Sequence, residues 1–301
     1  MLLTVFTPTY NRAHTLPKLY ESLTRQSSRD FEWLIVDDGS TDNTRELVDG
    51  WIAEGKLDLR YVYKENGGKP SAHNLGAKEA RGELFICVDS DDHLTDGAVS
   101  TVINAWESKT DNTVGLIAYK ALADGTGVTD IKNENVTAFT LKDGYDRYGL
   151  TGDTALVFKV DALRKFEFPT FEGERFIPEG YLYDKIDTLG KLTAVREQIY
   201  ICEYLDDGYT ANMKRILYKN PQGYFAYIEN RLRIDRKIKH KFLDSVRYMA
   251  MAIAHGRGRK IRDAVYPLFA LMAYIPGWLL YVRDFKRYKD ESENKCNNSG
   301  I

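Results

Sequence analysis

Cysteine is scarce in this 301-residue chain: Cys87, Cys202 and Cys296 stand too far apart for any metal-ligand or redox spacing. That excludes zinc-finger, thioredoxin-like and disulfide-stapled classes, and a reduced cytosolic compartment fits. Cys87 lies inside an apolar run and reads as a small buried hydrophobe. A secretory leader is not visible, because Met1 to Phe6 is too short for an apolar leader core and runs straight into Thr7-Pro8-Thr9. No internal repeat occurs, and no low-complexity tract precedes the polar tail 290–301, which is expected to be disordered. Long apolar runs are missing as well. Val265 to Val282 is eighteen residues without a charge, barely the length of a bilayer span, and holds Pro267, Pro276 and Gly277.

What is present suits a folded protein. With 43% hydrophobic and 12% aromatic residues, the chain can bury a substantial core as one large domain or two small ones. Its net charge of −2 hides an asymmetry: from Lys214 to Arg262 fourteen Lys/Arg face three acids (Glu229, Asp235, Asp244), a balance of +11 that leaves −13 elsewhere.

The first 120 residues alternate strand-like and helix-like patterns, the signature of βαβ units on a parallel sheet. Leu2 to Phe6 is the first strand. A helix from about Thr15 has Pro17 in its first turn and Leu16, Leu19, Tyr20 and Leu23 on one stripe. Phe31 to Val36 is the second strand, and Ser40, Thr41 and Asp42 are N-cap candidates for a helix whose Leu47, Val48, Trp51 and Ile52 face the sheet. Leu59 to Tyr63 is a third strand; Asn66-Gly67-Gly68-Lys69-Pro70 is a loop, and Ser71 to Ala80 a helix. Leu84 to Val88 is the fourth strand, doubly buried by pattern. Beyond Thr113 short strands are expected at Val114–Ala118, Thr137–Leu141, Ala155–Val160 and Ile199–Tyr204.

The fourth strand delivers Asp89, Asp91 and Asp92 within four residues to its carboxyl end, where ligands bind in open α/β sheets. Crowded carboxylates repel unless a cation or a polyhydroxyl ligand shares the site, and hard divalent ions suit such oxygens. A solvated acidic turn before a helix near Thr95 and Asp96 fits the same residues equally well. Taken singly, Asp37-Asp38-Gly39-Ser40 also reads as a turn with a helix cap, and Tyr10-Asn11-Arg12 as a plain loop.

Three motifs in order, Thr7-Pro8-Thr9-Tyr10-Asn11-Arg12, Val36-Asp37-Asp38-Gly39-Ser40-Thr41-Asp42 and Val88-Asp89-Ser90-Asp91-Asp92, each follow a strand. Together they closely resemble the family 2 glycosyltransferases with the GT-A fold, strongly over residues 1–120 and weakly to about 215. The resemblance implies a mostly parallel α/β sheet, a nucleotide-sugar donor (usually a UDP-sugar), Mn²⁺ or Mg²⁺ on its diphosphate, and hexosyl transfer with inversion. Carried over, Pro8, Tyr10 and Arg12 line the nucleotide pocket, and Asp38, supported by Asp37, meets the uracil edge. Asp89 and Ser90 hold the ribose or sugar, Asp91 the metal, and Asp92 either. Lys69 neutralises phosphate and Asn74 fixes the loop, while His73 fits a helix surface as well as a ligand.

Inversion requires a general base. The family usually has an adjacent Glu-Asp before a helix; here Phe176-Ile177-Pro178-Glu179-Gly180 puts glycine in the second place, leaving Glu179 first and Asp184 second. Glu179 also fits a first-turn acid complementing the helix dipole. Asp206-Asp207-Gly208-Tyr209-Thr210 resembles a segment closing over the donor, with Lys214 or Arg215 near the diphosphate.

The expected organisation is a catalytic domain over 1–213, with a nucleotide-sugar half (1–120) and an acceptor half (121–213), followed by a helical region over 214–289. The uncharged stretch there reads as a broken helix pair, either lying on an anionic membrane surface or buried within the subdomain or a homodimer. No nucleic-acid fold accompanies the basic stretch. The expected partners are therefore a nucleotide sugar and a saccharide or lipid-linked acceptor, in the cytoplasm or peripherally at the inner face of the cell membrane. Two other classes bear weighing, a sugar-phosphate nucleotidyltransferase and a non-catalytic nucleotide-binding module. The first lacks the Gly-rich basic phosphate loop it would need after strand one.

Overall fold

The computed structural model describes residues 1–203, 209–234, 237–256 and 261–291. Their contacts divide the chain into two units, Met1–Phe168 with Lys185–Glu203, and Pro169–Asp184 with Tyr204–Ile301.

The first unit opens with β1 (Leu3–Thr9), α1 (Leu16–Thr24), β2 (Phe31–Asp37), α2 (Thr44–Glu54), β3 (Leu59–Tyr63), α3 (Lys69–Glu79) and β4 (Leu84–Cys87). It continues through β5 (His93–Leu94), α4 (Ala98–Glu107), β6 (Thr113–Leu122), β7 (Asp130–Ile131), β8 (Ala138–Phe139), α5 (Leu141–Arg147), β9 (Leu150–Thr151), β10 (Thr154–Lys159) and α6 (Val160–Leu163). After α7 (Gly180–Ile186) comes the long β11 (Lys191–Cys202). The main sheet is ordered β3-β2-β1-β4-β10-β6-β11-β5, with β8 also on β11. Only β10 and the two-residue β5 and β8 run antiparallel to their neighbours; β1, β2, β3, β4, β6 and β11 form parallel pairs. This is the mostly parallel sheet expected from the βαβ alternation. The expected helical C-terminal region is present too.

Every residue of β1 and β2 is buried, as strands covered on both faces require. On one face α1 lays down Leu16, Leu19, Tyr20 and Leu23, and Tyr20 stacks on Trp51 at 4.4 Å. Ile52 departs from the sequence reading and is 42% exposed. The buried side of α2 runs through Thr44, Val48 and Trp51, and one further residue turns about 100° away from it. Helix starts also moved by a few residues. Asp42 turns its carboxylate onto the Thr44 N–H and hydroxyl, so α2 begins after it, whereas α3 begins two residues early because Pro70 fits a first turn.

The second unit is helical: α8 (Tyr209–Lys219), α9 (Pro221–Ile234), α10 (Ile238–His255), α11 (Pro267–Met272) and α12 (Tyr274–Asp284). Its core combines Tyr224, Phe225, Ile228 and Leu232 with Tyr248, Met249, Met251 and Phe285. At Gly277 an added Cβ would lie 2.6 Å from the Met249 Cβ, so glycine is what lets α12 close onto α10. The uncharged stretch is a broken helix pair, and among the described residues no helix is long and apolar enough to cross a membrane. Residues 169–184 belong with these helices, although the sequence reading assigned them to the half spanning 121–213. The cause is polar: Glu174 accepts the Gln222 and Gly223 N–H groups at 2.9 and 2.8 Å, capping α9, and Asn220 accepts those of Arg175 and Phe176. Asp206, Asp207 and Gly208, and 292–301 of the tail, lie outside the described residues.

Candidate functional site

The ends of β1 and β2 are tied by short polar links. Pro8 is the penultimate residue of β1, buried and in register with Val36, and Tyr10 beyond it is 47% exposed. Asn11 takes a left-handed φ of 54°, which asparagine tolerates better than most residues. Its N–H donates to Ser40 Oγ at 2.8 Å and its side-chain oxygen accepts the Thr41 N–H at 2.7 Å. Asp42 completes the latch by accepting the Ala13 N–H at 3.2 Å. Burial raises the Asp42 carboxyl, but the Thr44 hydroxyl and the Ala13 and Thr44 N–H groups outweigh it and hold it below its ordinary value.

Asp37 and Asp38 are both buried and both engaged. Asp37 accepts the Ser40 N–H at 2.7 Å and the Tyr61 hydroxyl at 2.5 Å; burial and then this carboxylate push the phenol far up. Asp38 accepts Lys64 Nζ at 2.6 Å and the N–H groups of Gly67 and Gly68 at 2.9 and 2.7 Å. One carboxylate thereby organises the whole glycine loop, in which Gly68 stands at φ 86°.

At the end of β4 the acids separate into different environments. Asp89 is 2.5 Å from Lys69 Nζ, the first residue of α3. Asp91 is raised, first by burial and then by Asp89, against the pull of Arg12 and Lys69, so two cations and two carboxylates share one small space. Ser90 is buried between them in sequence. Asp92, expected to share metal duty, spends both oxygens within the protein, accepting the Tyr200 hydroxyl at 2.7 Å and the Glu203 N–H at 2.8 Å. Burial, then repulsion from Asp89, pushes its carboxyl up to about 7. The Tyr200 oxygen also accepts the Asp89 N–H at 3.1 Å, and Lys120 Nζ sits 4.2 Å from the Tyr200 ring centroid. Among the described residues no cluster of three His, Cys, Asp or Glu side chains is placed to hold a metal by itself.

Asn74 clamps the backbone of Phe168, donating to its carbonyl and accepting its N–H, both at 2.9 Å. His73 is buried edge-on against Phe6, Phe85 and Phe168, a core position rather than a helix surface. The acid candidates Glu179 and Asp184 belong to the second unit. Glu179 directly precedes α7; its carbonyl accepts the Leu182 N–H and its carboxylate lies 3.3 Å from the Tyr183 hydroxyl. Asp184 faces Arg231 at 3.5 Å, and Arg231 is bound at 3.0 Å to buried Asp244. A cavity of about 470 Å³ in the same unit, beside Glu174, Tyr218 and His255, contains none of the candidate residues.

Lys64, Lys120 and Tyr200 escaped the sequence reading. Lys64 follows β3 as the motif residues follow their own strands, and that position was the available signal. Nothing local marks Lys120 or Tyr200.

Comparison with known proteins bears on the family and the fold. The family model Glycosyl transferase family 2 matches residues 4–164. The glycosyltransferase GlyG of Streptococcus pneumoniae is 34% identical over 109 residues, 36% of this chain and 36% of GlyG. The poly(ribitol-phosphate) beta-N-acetylglucosaminyltransferase TarS of Staphylococcus aureus is 29% identical over 189 residues, 60% of this chain and 33% of TarS. The matches thus span about a third of each relative. The crystal structure of TarS 1-349 with UDP-GlcNAc superposes with a TM-score of 0.64 at 19% identity, covering 97% of this chain and 83% of that one. A mannosyltransferase of Pyrobaculum calidifontis with GDP-Man and Mn²⁺ gives 0.54 at 20% identity, covering 93% and 86%. Both likenesses establish the GT-A fold.

Proposed function

The chain belongs to glycosyl transferase family 2, and on that premise we propose that it moves a hexosyl group from a UDP-sugar to a saccharide or lipid-linked acceptor in surface-polysaccharide synthesis, inverting the anomeric carbon. The observation that carries the reading is the meeting of Arg12 and Lys69 with Asp89 and Asp91 beyond the ends of β1 and β4. Two cations beside two carboxylates suit a ligand with an anionic diphosphate and a polyhydroxyl part.

In this reading Arg12 and Lys69 bind diphosphate oxygens, Lys69 leaving Asp89 to do so. Asp89 is then released for ribose or sugar hydroxyls, with Ser90 shaping the turn. Tyr10 covers the base while Asp37, Asp38 and Pro8 fix the walls of its pocket, and Asn74 secures the end of the first unit. Mn²⁺ or Mg²⁺ fits Asp91: such ions bind through one or two carboxylates plus substrate phosphates, and Asp89 and Asp91 are a half-buried, mutually repelling pair that a shared cation relieves. When bound, the ion offsets charge growing on the leaving diphosphate. The engagement of both Asp92 oxygens supports a positioning role for it instead.

The acceptor hydroxyl loses its proton to Glu179 as its oxygen bonds to the anomeric carbon and the bond to the diphosphate breaks on the opposite side. Glu179 is placed before Asp184 because it follows Pro178 at the start of α7. Thermal-shift screening with UDP-, GDP- and dTDP-sugars, with and without Mn²⁺, tests the donor. Donor hydrolysis by Asp91→Asn and Glu179→Gln tests the residues: UDP should still bind while turnover is lost. Hydrolysis at wild-type rates in both variants would overturn the assignment.

A further inference from the structure

Helix α12 is apolar on two opposite sides, and among the described residues only one of them has a partner. Ala273 and Gly277 face the core of the second unit, with Gly277 against Met249 of α10. On the other side Tyr274, Ile275, Trp278 and Leu279 are 49%, 71%, 49% and 57% exposed. Preceding them, α11 exposes Leu268 and Leu271 at 67% and 58%. A helix that is hydrophobic all round is normally buried all round. Among monomeric proteins a contiguous face of this kind marks a place of contact.

Exposed cations stand at the α12 end of the face, and the helical region that carries it is basic, with fourteen Lys/Arg against three acids from Lys214 to Arg262. Lys241 Nζ donates to the Tyr266 hydroxyl at 2.7 Å, directly before α11, while Arg283 in the last turn of α12 and Lys286 and Arg287 beyond it are exposed. Of the acids near these ends Asp263 and Asp290 are exposed, whereas Asp284 is only 10% exposed and is held by Lys214 and Arg283; Arg287 shares its charge with Glu291. No charged residue occurs from Ala264 to Val282.

We infer that this face docks onto an anionic lipid surface, its aliphatic and aromatic side chains entering the acyl boundary and its terminal cations meeting headgroup phosphates. A second copy of the chain is the poorer occupant. A two-fold pairing sets one strongly basic helical region against another. The inference stands apart from the transfer chemistry, since it uses none of the residues proposed for donor or acceptor.

The test uses the full chain with vesicles of phosphatidylcholine alone or mixed with phosphatidylglycerol. Wild type should sediment with the anionic vesicles only, and less so as salt rises. The double substitution Ile275→Glu, Leu279→Glu should weaken vesicle binding about tenfold or more, with nucleotide-sugar hydrolysis in solution unchanged. Because that variant could fold poorly, the triple substitution Arg283→Gln, Lys286→Gln, Arg287→Gln provides a second arm, expected to weaken anionic binding without touching the apolar face. Failure of wild type to sediment with either vesicle would overturn the inference. So would a dimer in sedimentation velocity that the double substitution dissociates while vesicle binding stays intact.

Discussion

Tyr200 and Asp92, 108 residues apart, share a hydrogen bond of 2.7 Å in which the phenol donates. The same phenol oxygen accepts the Asp89 N–H, so one residue of β11 holds both ends of the acidic turn after β4. Removing the hydroxyl while keeping the ring isolates this link. Tyr200→Phe should cost about 1–3 kcal/mol, since buried Asp92 and the Asp89 N–H each lose a partner. Urea denaturation measures that loss, and donor hydrolysis should fall with it if the turn positions Asp91.

Asp38 supports the glycine loop with three accepted hydrogen bonds. Asp38→Ala is expected to destabilise by about 3 kcal/mol, because it strands two backbone N–H groups and a partly buried ammonium. Asp38→Asn, which keeps one acceptor oxygen, should fall between. Denaturant midpoints for the three proteins give the order.

The Asp42 latch makes a pH prediction. Its folded pKa is below the unfolded value, so its contribution is present above the unfolded pKa and lost as pH falls through the folded one. Asp42→Asn should therefore melt below wild type at neutral pH, and the gap should close as pH drops through about 4 toward 2. A gap that stays constant with pH would show that the carboxylate charge is not what holds Ala13 and Thr44.

Two glycines should respond to alanine with opposite sign. Gly50, in the middle of α2, has nothing within 4 Å of an added Cβ, and Gly50→Ala should stabilise by about 0.5–1 kcal/mol. Gly277→Ala puts a methyl against Met249 and Ala250 and should cost about 1–3 kcal/mol. Thermal melts of the pair check both signs.

The nucleotide half was legible because its information is local. Strand β3 was read at its observed bounds, and the stripe of α1 held because each apolar residue lies within a turn of the next. Strand β11 was half missed. Its Lys191, Arg196, Glu197 and Gln198 break the apolar pattern, and its pairing with β6 shifts register at Val195/Gln198 and Gln198/Tyr200, so only Ile199 onward read as strand. The resemblance placed Arg12, Lys69, Asp89 and Asp91 by their strand ends, where Lys69 pairs with Asp89 and both cations act on Asp91. That Asp92 faces inward could not be read, since its partners arrive from more than 100 residues away. His73 failed for a similar reason: three aromatic rings from three parts of the chain make its pocket.

Strand β11 is twelve residues long, and on its side away from β6 it meets, among the described residues, only the strands β5 and β8, each of two residues. Ala194 donates to the Thr137 carbonyl beside β8, and Thr95 donates to the Ile199 carbonyl beside β5. Between them lie the register shifts. A bare edge of twelve residues would invite another chain to add a strand and begin a fibre. Here short patches at either end and an irregular middle leave no straight run for a stranger to copy, so the longest strand of the protein is also guarded against self-association.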